Sequence, residues 1–130
     1  KEIDGYGYIG YLTIPNLELE LPIMSDWDDE RLKIAPCRQF GSTKGNNLVI
    51  AGHNYTRHFG TLSNLKTDDI LMFTDMEGVV ITYTVESIEV IAPTAVDEVK
   101  HSGWDLTLYT CTYGGKDRVT VNCERLGETI

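Results

Sequence analysis

The stretch 79–91 limits the possible folds more than any other part of this chain. Val79, Ile81, Tyr83 and Val85 share one parity along it, and Thr82 and Thr84 take the other. A period of two places the apolar set on one face of an extended strand, whereas a helix would scatter it around the axis. A strand this long carries N–H and C=O groups on both edges, and these must be paired. The rest of the chain therefore has to supply neighbouring strands.

It does so in short pieces. Residues 6–14 are rich in Tyr, Ile and Leu and stop at Pro15, and Asn16 fits a tight connection. Leu17, Leu19 and Leu21 then alternate with Glu18 and Glu20. Residues 48–51, 106–111 and 118–126 read as further strands, while 41–47 and 74–78 have the composition of a loop and a turn. Two short helices are expected. One covers 26–34, with Ser25 or Asp26 as cap, acidic residues in the first turn, Arg31 and Lys33 near the end, and Pro36 limiting its continuation. The other is a single turn over 59–65, where Phe59, Leu62 and Leu65 recur every third residue. Seven or eight strands without the long helices of βαβ units predict an all-β, closed or nearly closed, antiparallel-rich barrel. The 130 residues are read as one domain, 1–130.

Charge narrows the partners. Twenty acidic against eleven basic side chains leave a formal charge of −9. A nucleic-acid binder needs a basic footprint to displace counterions, and adsorption to an anionic bilayer needs the same, so neither is expected. Cys37, Cys111 and Cys123 form no CxxC pair and no disulfide framework. No metal site or cofactor is expected. The acidic pairs Asp28/Asp29 and Asp68/Asp69 lack the spacing of an EF-hand loop and read as solvated faces. No segment approaches the ~20 apolar residues of a membrane span. The chain starts at a lysine without a signal-peptide pattern, the expectation for an excised or processed protein whose anchor lies elsewhere.

Three residues stand where chemistry needs them. His53 follows Gly52 directly beyond the apolar strand 48–51, so a rigid element supports the imidazole. Cys111 ends the run Leu106-Thr-Leu-Tyr-Thr-Cys111, and Arg118 opens the next strand. A cysteine attacks as thiolate, and a histidine holds or delivers the proton near neutral pH. An arginine stays protonated, so its donor fork suits a carbonyl oxygen that is gaining negative charge. Together they point to acyl transfer through a thioester. Each residue alone reads equally well as structure: a buried thiol, a loop histidine, a solvent-facing charge.

The pattern as a whole is more specific. Thr107-Leu108-Tyr109-Thr110-Cys111 resembles the TLxTC signature of sortases, Arg118 sits at that family's downstream arginine, and Leu48-Val-Ile-Ala-Gly-His53-Asn54 resembles its histidine segment. The resemblance runs from about Gly7 to Arg125. It implies the closed eight-stranded sortase-type β-barrel, with one or two short helices. It also implies a cysteine transpeptidase that cleaves an LPxTG-like C-terminal sorting signal and passes the acyl group to an amine of a cell-wall precursor or a pilin. Cys111 would be the nucleophile, His53 the proton-transfer group and Arg118 the oxyanion or positioning donor. A membrane-anchored enzyme at the extracellular face of the plasma membrane is implied for the full-length protein.

Thr110, Tyr113, Asn54 and Val96 are the candidate substrate-binding residues. Thr110 lines the groove or packs the strand, and Tyr113 forms a groove wall. Val96 belongs to the connection 92–103, with Val99 and Trp104 close in sequence, which reads as a recognition wall or as a loop over one barrel end. Thr112-Tyr113 after the cysteine is similar to class B sortases, and the compact length is similar to class D. Cys123 shares parity with Val119 and Val121 and should be buried, and Cys37 after Pro36 reads as a turn thiol or a disulfide partner. His58 reads as a loop residue. Two other functions fit the same residues: a cysteine peptidase that uses water, and a catalytically silent peptide-binding barrel.

Overall fold

The computed structural model describes the backbone of residues 2–3, 6–26, 32, 34–52, 59–92, 103–111 and 117–129, and their side chains except at 2, 3, 6, 63, 111 and 129. Nine strands lie within these: β1 (Glu2–Ile3), β2 (Tyr6–Ile14), β3 (Leu19–Met24), β4 (Cys37–Phe40), β5 (Leu48–Ala51), β6 (Ile70–Asp75), β7 (Val80–Ile91), β8 (Leu106–Cys111) and β9 (Arg118–Thr129). They form one sheet in the order β1-β2-β3-β4-β5-β8-β9-β7-β6, and β2 also pairs with β6. That last pairing closes strands β2 to β9 into an eight-stranded barrel and leaves β1 as a two-residue appendage on β2. Closure removes the open edges that hydrophobic strands would otherwise present.

The helix expectation is corrected. Outside 26–34, the helical elements among the described residues are two three-residue 3-10 turns, Pro15–Leu17 and Leu62–Asn64. The helix expected over 26–34 falls mostly outside the described residues. Pro15 presets the backbone for the first turn, which ends at Glu18 in the left-handed region (φ 54°) and delivers the chain into β3. The turn expectation for Cys37 is also corrected. This residue starts β4, opposite Ala51 of β5, and on its other side the Pro36 carbonyl accepts from Met24 N–H of β3 at 3.0 Å.

The alternation read along 79–91 holds: Ile81, Tyr83 and Val85 are buried, and so are Val119, Val121 and Cys123 on β9. With Leu12, Ile14, Ile23, Leu48, Ile50, Phe73, Leu106 and Leu108 they fill the barrel interior. Burying these side chains is the main favourable term for such a fold. The β6–β7 hairpin is set by Asp75, whose carboxylate accepts from the N–H groups of Glu77 (2.9 Å) and Val79 (3.0 Å). Gly10, at a bulge in β2 (φ 152°), lies so close to β6 that a side chain would run into the Thr74 carbonyl.

The barrel has a weak seam. β3 and β4 share one parallel pair, Met24 with Cys37. Arg38 stitches this seam with its side chain, donating from Nε to the Ser25 carbonyl and from Nη1 to the Gly41 carbonyl, both at 3.0 Å. The loop after β4 is held by Asn47, whose Oδ1 accepts from Ser42 N–H, and by Arg125 of β9, which donates to Asn46 Oδ1 at 3.0 Å.

Candidate active site

Strand register decides which sequence candidates can meet. β5 and β8 run parallel, with Leu48 opposite Leu106 and Ala51 opposite Tyr109. The ladder continues one step further, since Gly52 N–H donates to the Tyr109 carbonyl at 3.1 Å. β8 and β9 run antiparallel and end on the rung Cys111–Arg118. Arg118 also faces Ile91, the last residue of β7. The ends of β5, β7 and β8 and the start of β9 therefore gather at one end of the barrel. Arg118 is partly buried there, and its Nη1 donates to the Asp117 carbonyl at 3.1 Å.

The remaining candidates divide into two groups. The side chain of Cys111, and residues His53, Asn54, Val96 and Tyr113, lie outside what the structure describes, as do His58 and the Asp28/Asp29 pair. Thr110 is described. It is 4% exposed, pairs with the core residue Val119, and its Oγ1 has no hydrogen-bond partner among the described residues. By strand alternation it takes the barrel-inward side of β8, with Leu106 and Leu108.

The outward side of β8 and β9 carries a polar array that sequence reasoning missed. Thr107, Thr120 and Asn122 are 1%, 2% and 5% exposed, although their neighbours Leu106, Leu108, Val119 and Val121 already fill the core side. Asn122 donates from Nδ2 to Ser87 Oγ (3.0 Å) and Glu89 Oε1 (2.9 Å) on β7, and its Oδ1 accepts from Thr107 Oγ1 (3.5 Å) on β8. Thr120 donates to the Glu89 carbonyl at 3.3 Å. Tyr109 OH donates to Gln39 Oε1 on β4 at 2.6 Å. An amide offers donors and an acceptor at once, and a central strand is where it can tie both neighbours. In the sequence, Thr-x-Tyr and Thr-x-Asn read as solvent-facing halves of alternating strands. The signal available was that Asn is disfavoured in strands and needs a reason to be there.

The two cysteines outside the motif, Cys37 and Cys123, are both buried. Cys37 donates from Sγ to the Ala35 carbonyl at 3.4 Å. Burial first, and the charge of Glu86 second, push the Cys123 thiol up to about 12, so it is a poor nucleophile at neutral pH. Among the described residues, no three His, Cys, Asp or Glu side chains converge to hold a metal ion. Nor is any helix there long and apolar enough to cross a membrane. A cavity of about 340 Å³ between Tyr8, Arg38, Phe73 and Met76 lies at the other end of the barrel, beside the start of β5 and the β6–β7 turn.

Comparisons with known proteins bear on the whole of this arrangement. A sortase-domain family model matches residues 12–126. Sortase A of Bacillus anthracis is 28% identical over 115 residues, which cover 84% of this chain and 54% of that protein. The chain thus spans about half the length of that relative. Among solved structures, sortase C-3 of Streptococcus pneumoniae superposes with a TM-score of 0.80 at 27% identity, covering 98% of this chain and 66% of its own. Sortase C1 of Streptococcus agalactiae gives 0.78 at 26%, covering 96% and 70%. Sortase A of Corynebacterium diphtheriae gives 0.80 at 25%, covering 93% and 61%.

These likenesses correct the class B or class D expectation, because the similar structures are chiefly class C sortases. That expectation rested on a dipeptide and on length, which say little about strand layout. A barrel that closes in eight strands and ends its β8–β9 ladder on the cysteine and arginine of the motif, with a family match over most of its length, leaves one assignment: this chain belongs to the sortase family.

Proposed function

We propose that the chain is a single catalytic domain, 1–130, of a cysteine transpeptidase that cleaves a C-terminal sorting signal of LPxTG-like type and transfers it to an amine. The observation that carries this reading is the register at one barrel end. Cys111 and Arg118 share the last β8–β9 rung, and the parallel β5–β8 ladder sets Ala51 opposite Tyr109. His53 follows Ala51 by two residues in sequence, as Cys111 follows Tyr109, which supports their meeting at this end.

In this mechanism the Cys111 thiolate attacks the scissile threonine carbonyl. The Arg118 guanidinium donates to the oxygen that becomes negative. As the tetrahedral state collapses, the C–N bond breaks and His53 passes its proton to the departing amine, leaving a thioester. An incoming amine then attacks the thioester, His53 takes its proton, and the thiolate leaves. Thr110, Asn54, Val96 and Tyr113 serve the peptide groove in this reading. For Thr110 the support is its buried hydroxyl, next to Cys111 in sequence and without a partner among the described residues. The acceptor is an amine of a cell-wall precursor or a pilin, and the full-length protein works from the extracellular face of the plasma membrane.

The test is a mass-spectrometric screen of LPxTG-like and NPxTN-like peptides against amine acceptors. The wild type should yield ligated product, while Cys111→Ala, His53→Ala and Arg118→Ala should each fold and lose it. Full activity in Cys111→Ala, or hydrolysis alone with every acceptor, would overturn the reading.

A further inference from the structure

Gly52 and Phe59 flank the histidine segment in sequence and touch in space. Gly52 is buried, and a β-carbon built on it would lie 2.7 Å from Phe59 Cγ and 3.0 Å from Cε2, with Cδ2 nearer still. Ordinary van der Waals contact begins near 3.4 Å. The backbone at Gly52 is outside the left-handed region, so what demands glycine here is the ring and not the dihedral angle. The ring itself has little room to yield. Phe59 is fully buried in the barrel core, its carbonyl accepts from Leu62 N–H at 3.2 Å, and Leu62 and Leu65 are buried beside it. On the other side, Gly52 is held by its hydrogen bond to the Tyr109 carbonyl, two residues before Cys111 on β8.

We infer that Gly52 and Phe59 form a clamp at the base of the histidine segment and act as positioning residues for His53. The inference rests on the Cys111–His53 reading above. Gly52 hands its backbone direction straight to the next residue, and it is fixed from two sides, by the Phe59 ring and by β8. A methyl group on residue 52 has to displace one of these. The ring is packed in the core, where interiors transmit strain instead of absorbing it. The backbone at 52 therefore moves, and the start of the histidine segment moves with it. Misplacements of about 1 Å cost roughly a hundredfold in rate at such sites.

The experiment reads the Cys111 thiolate without a substrate. The rate of Cys111 alkylation by iodoacetamide is followed against pH in the wild type, Gly52→Ala, Phe59→Val, the double variant and His53→Ala, alongside peptide transfer. Gly52→Ala should fold, lose transfer by roughly a hundredfold, and shift its alkylation profile in the same direction as His53→Ala. A purely structural glycine would lower Tm and leave the profile in place. Valine at 59 can leave vacant the staggered position that the Phe59 Cγ fills, so adding Gly52→Ala to Phe59→Val should change neither profile nor rate.

An unshifted Gly52→Ala profile, or the same loss from Gly52→Ala in the Phe59→Val background, would overturn the clamp. Should Gly52→Ala alone fail to fold, that second comparison decides the matter. If His53→Ala itself leaves the profile unchanged, the Cys111–His53 reading fails. If His53→Ala shifts it and Gly52→Ala does not, only the clamp fails.

Discussion

Replacing Asn122 with leucine tests whether the polar array on the outward side of β8 and β9 holds the strands together. The variant keeps the volume close and removes every hydrogen bond of the amide. Lost are a bond to the Glu89 carboxylate at 2.9 Å, one to Ser87 Oγ at 3.0 Å, and the acceptor of the Thr107 hydroxyl at 3.5 Å. A bond to a charged group contributes about 1.5–3 kcal/mol and a neutral one about 1 kcal/mol. Thr107 is 1% exposed and cannot turn to water, whereas Ser87 and Glu89 reach solvent and recover part of their loss. The balance is a destabilisation of about 2–3 kcal/mol. For a chain of this size that lowers Tm by roughly 10 °C, at about 4 °C per kcal/mol. Urea denaturation followed by circular dichroism should show a lower midpoint with an unchanged slope. A change below about 0.5 kcal/mol, the ordinary range of surface substitutions, would refute the claim that the amide braces three strands.

Three further outcomes follow from buried or paired groups. Tyr83→Phe should raise stability by about 1 kcal/mol, because the Tyr83 hydroxyl is fully buried without a hydrogen-bond partner among the described residues. A loss of that size in calorimetry would mean the hydroxyl has a partner. Native protein treated with iodoacetamide near neutral pH should take one label, on Cys111, since Cys37 and Cys123 are buried and Cys123 is a weak acid. Peptide mapping that finds fast labelling at Cys123 would contradict this. The Glu86 carboxyl is held above its usual range, first by its hydrogen bond to Glu124, then by burial and by the charges of Glu124 and Asp68. A raised carboxyl favours the folded state below its unfolded pKa and loses that contribution as pH rises through the folded one. Glu86→Gln should therefore be the more stable protein at neutral pH, with the difference in Tm shrinking on acidification. A difference that grows on acidification would reverse the sign of this argument.

Much of the barrel was legible because parity survives folding. Ile81, Tyr83 and Val85 turn inward together, and the edges of β5 and β8 fall where the apolar runs begin and end. The helical turn over 59–65 was read too long, where local signals compete with closure. Phe59, Leu62 and Leu65 do bury one face at a spacing of three, yet three residues of 3-10 turn suffice to do it. β4 was missed because four residues after a proline carry no period of their own, and the strand exists through pairing with β5. At the site, residue types and chain order pointed to Cys111 and Arg118, but only the β8–β9 register puts them on one rung. The Asn122 array was hidden because a sequence does not tell a buried polar face from a wet one. The contact between Gly52 and Phe59 is likewise a matter of distance, which no motif encodes.

The most direct test of the central claim is to trap the acyl group. The protein is mixed with an LPxTG-like peptide without an amine acceptor, quenched in acid and weighed intact, then mapped by proteolysis. The account predicts a mass increase equal to the peptide cleaved after its threonine, carried on Cys111, released by an added amine as a ligated product, and missing in Cys111→Ala. The same adduct on another residue, or ligation by Cys111→Ala, would contradict it.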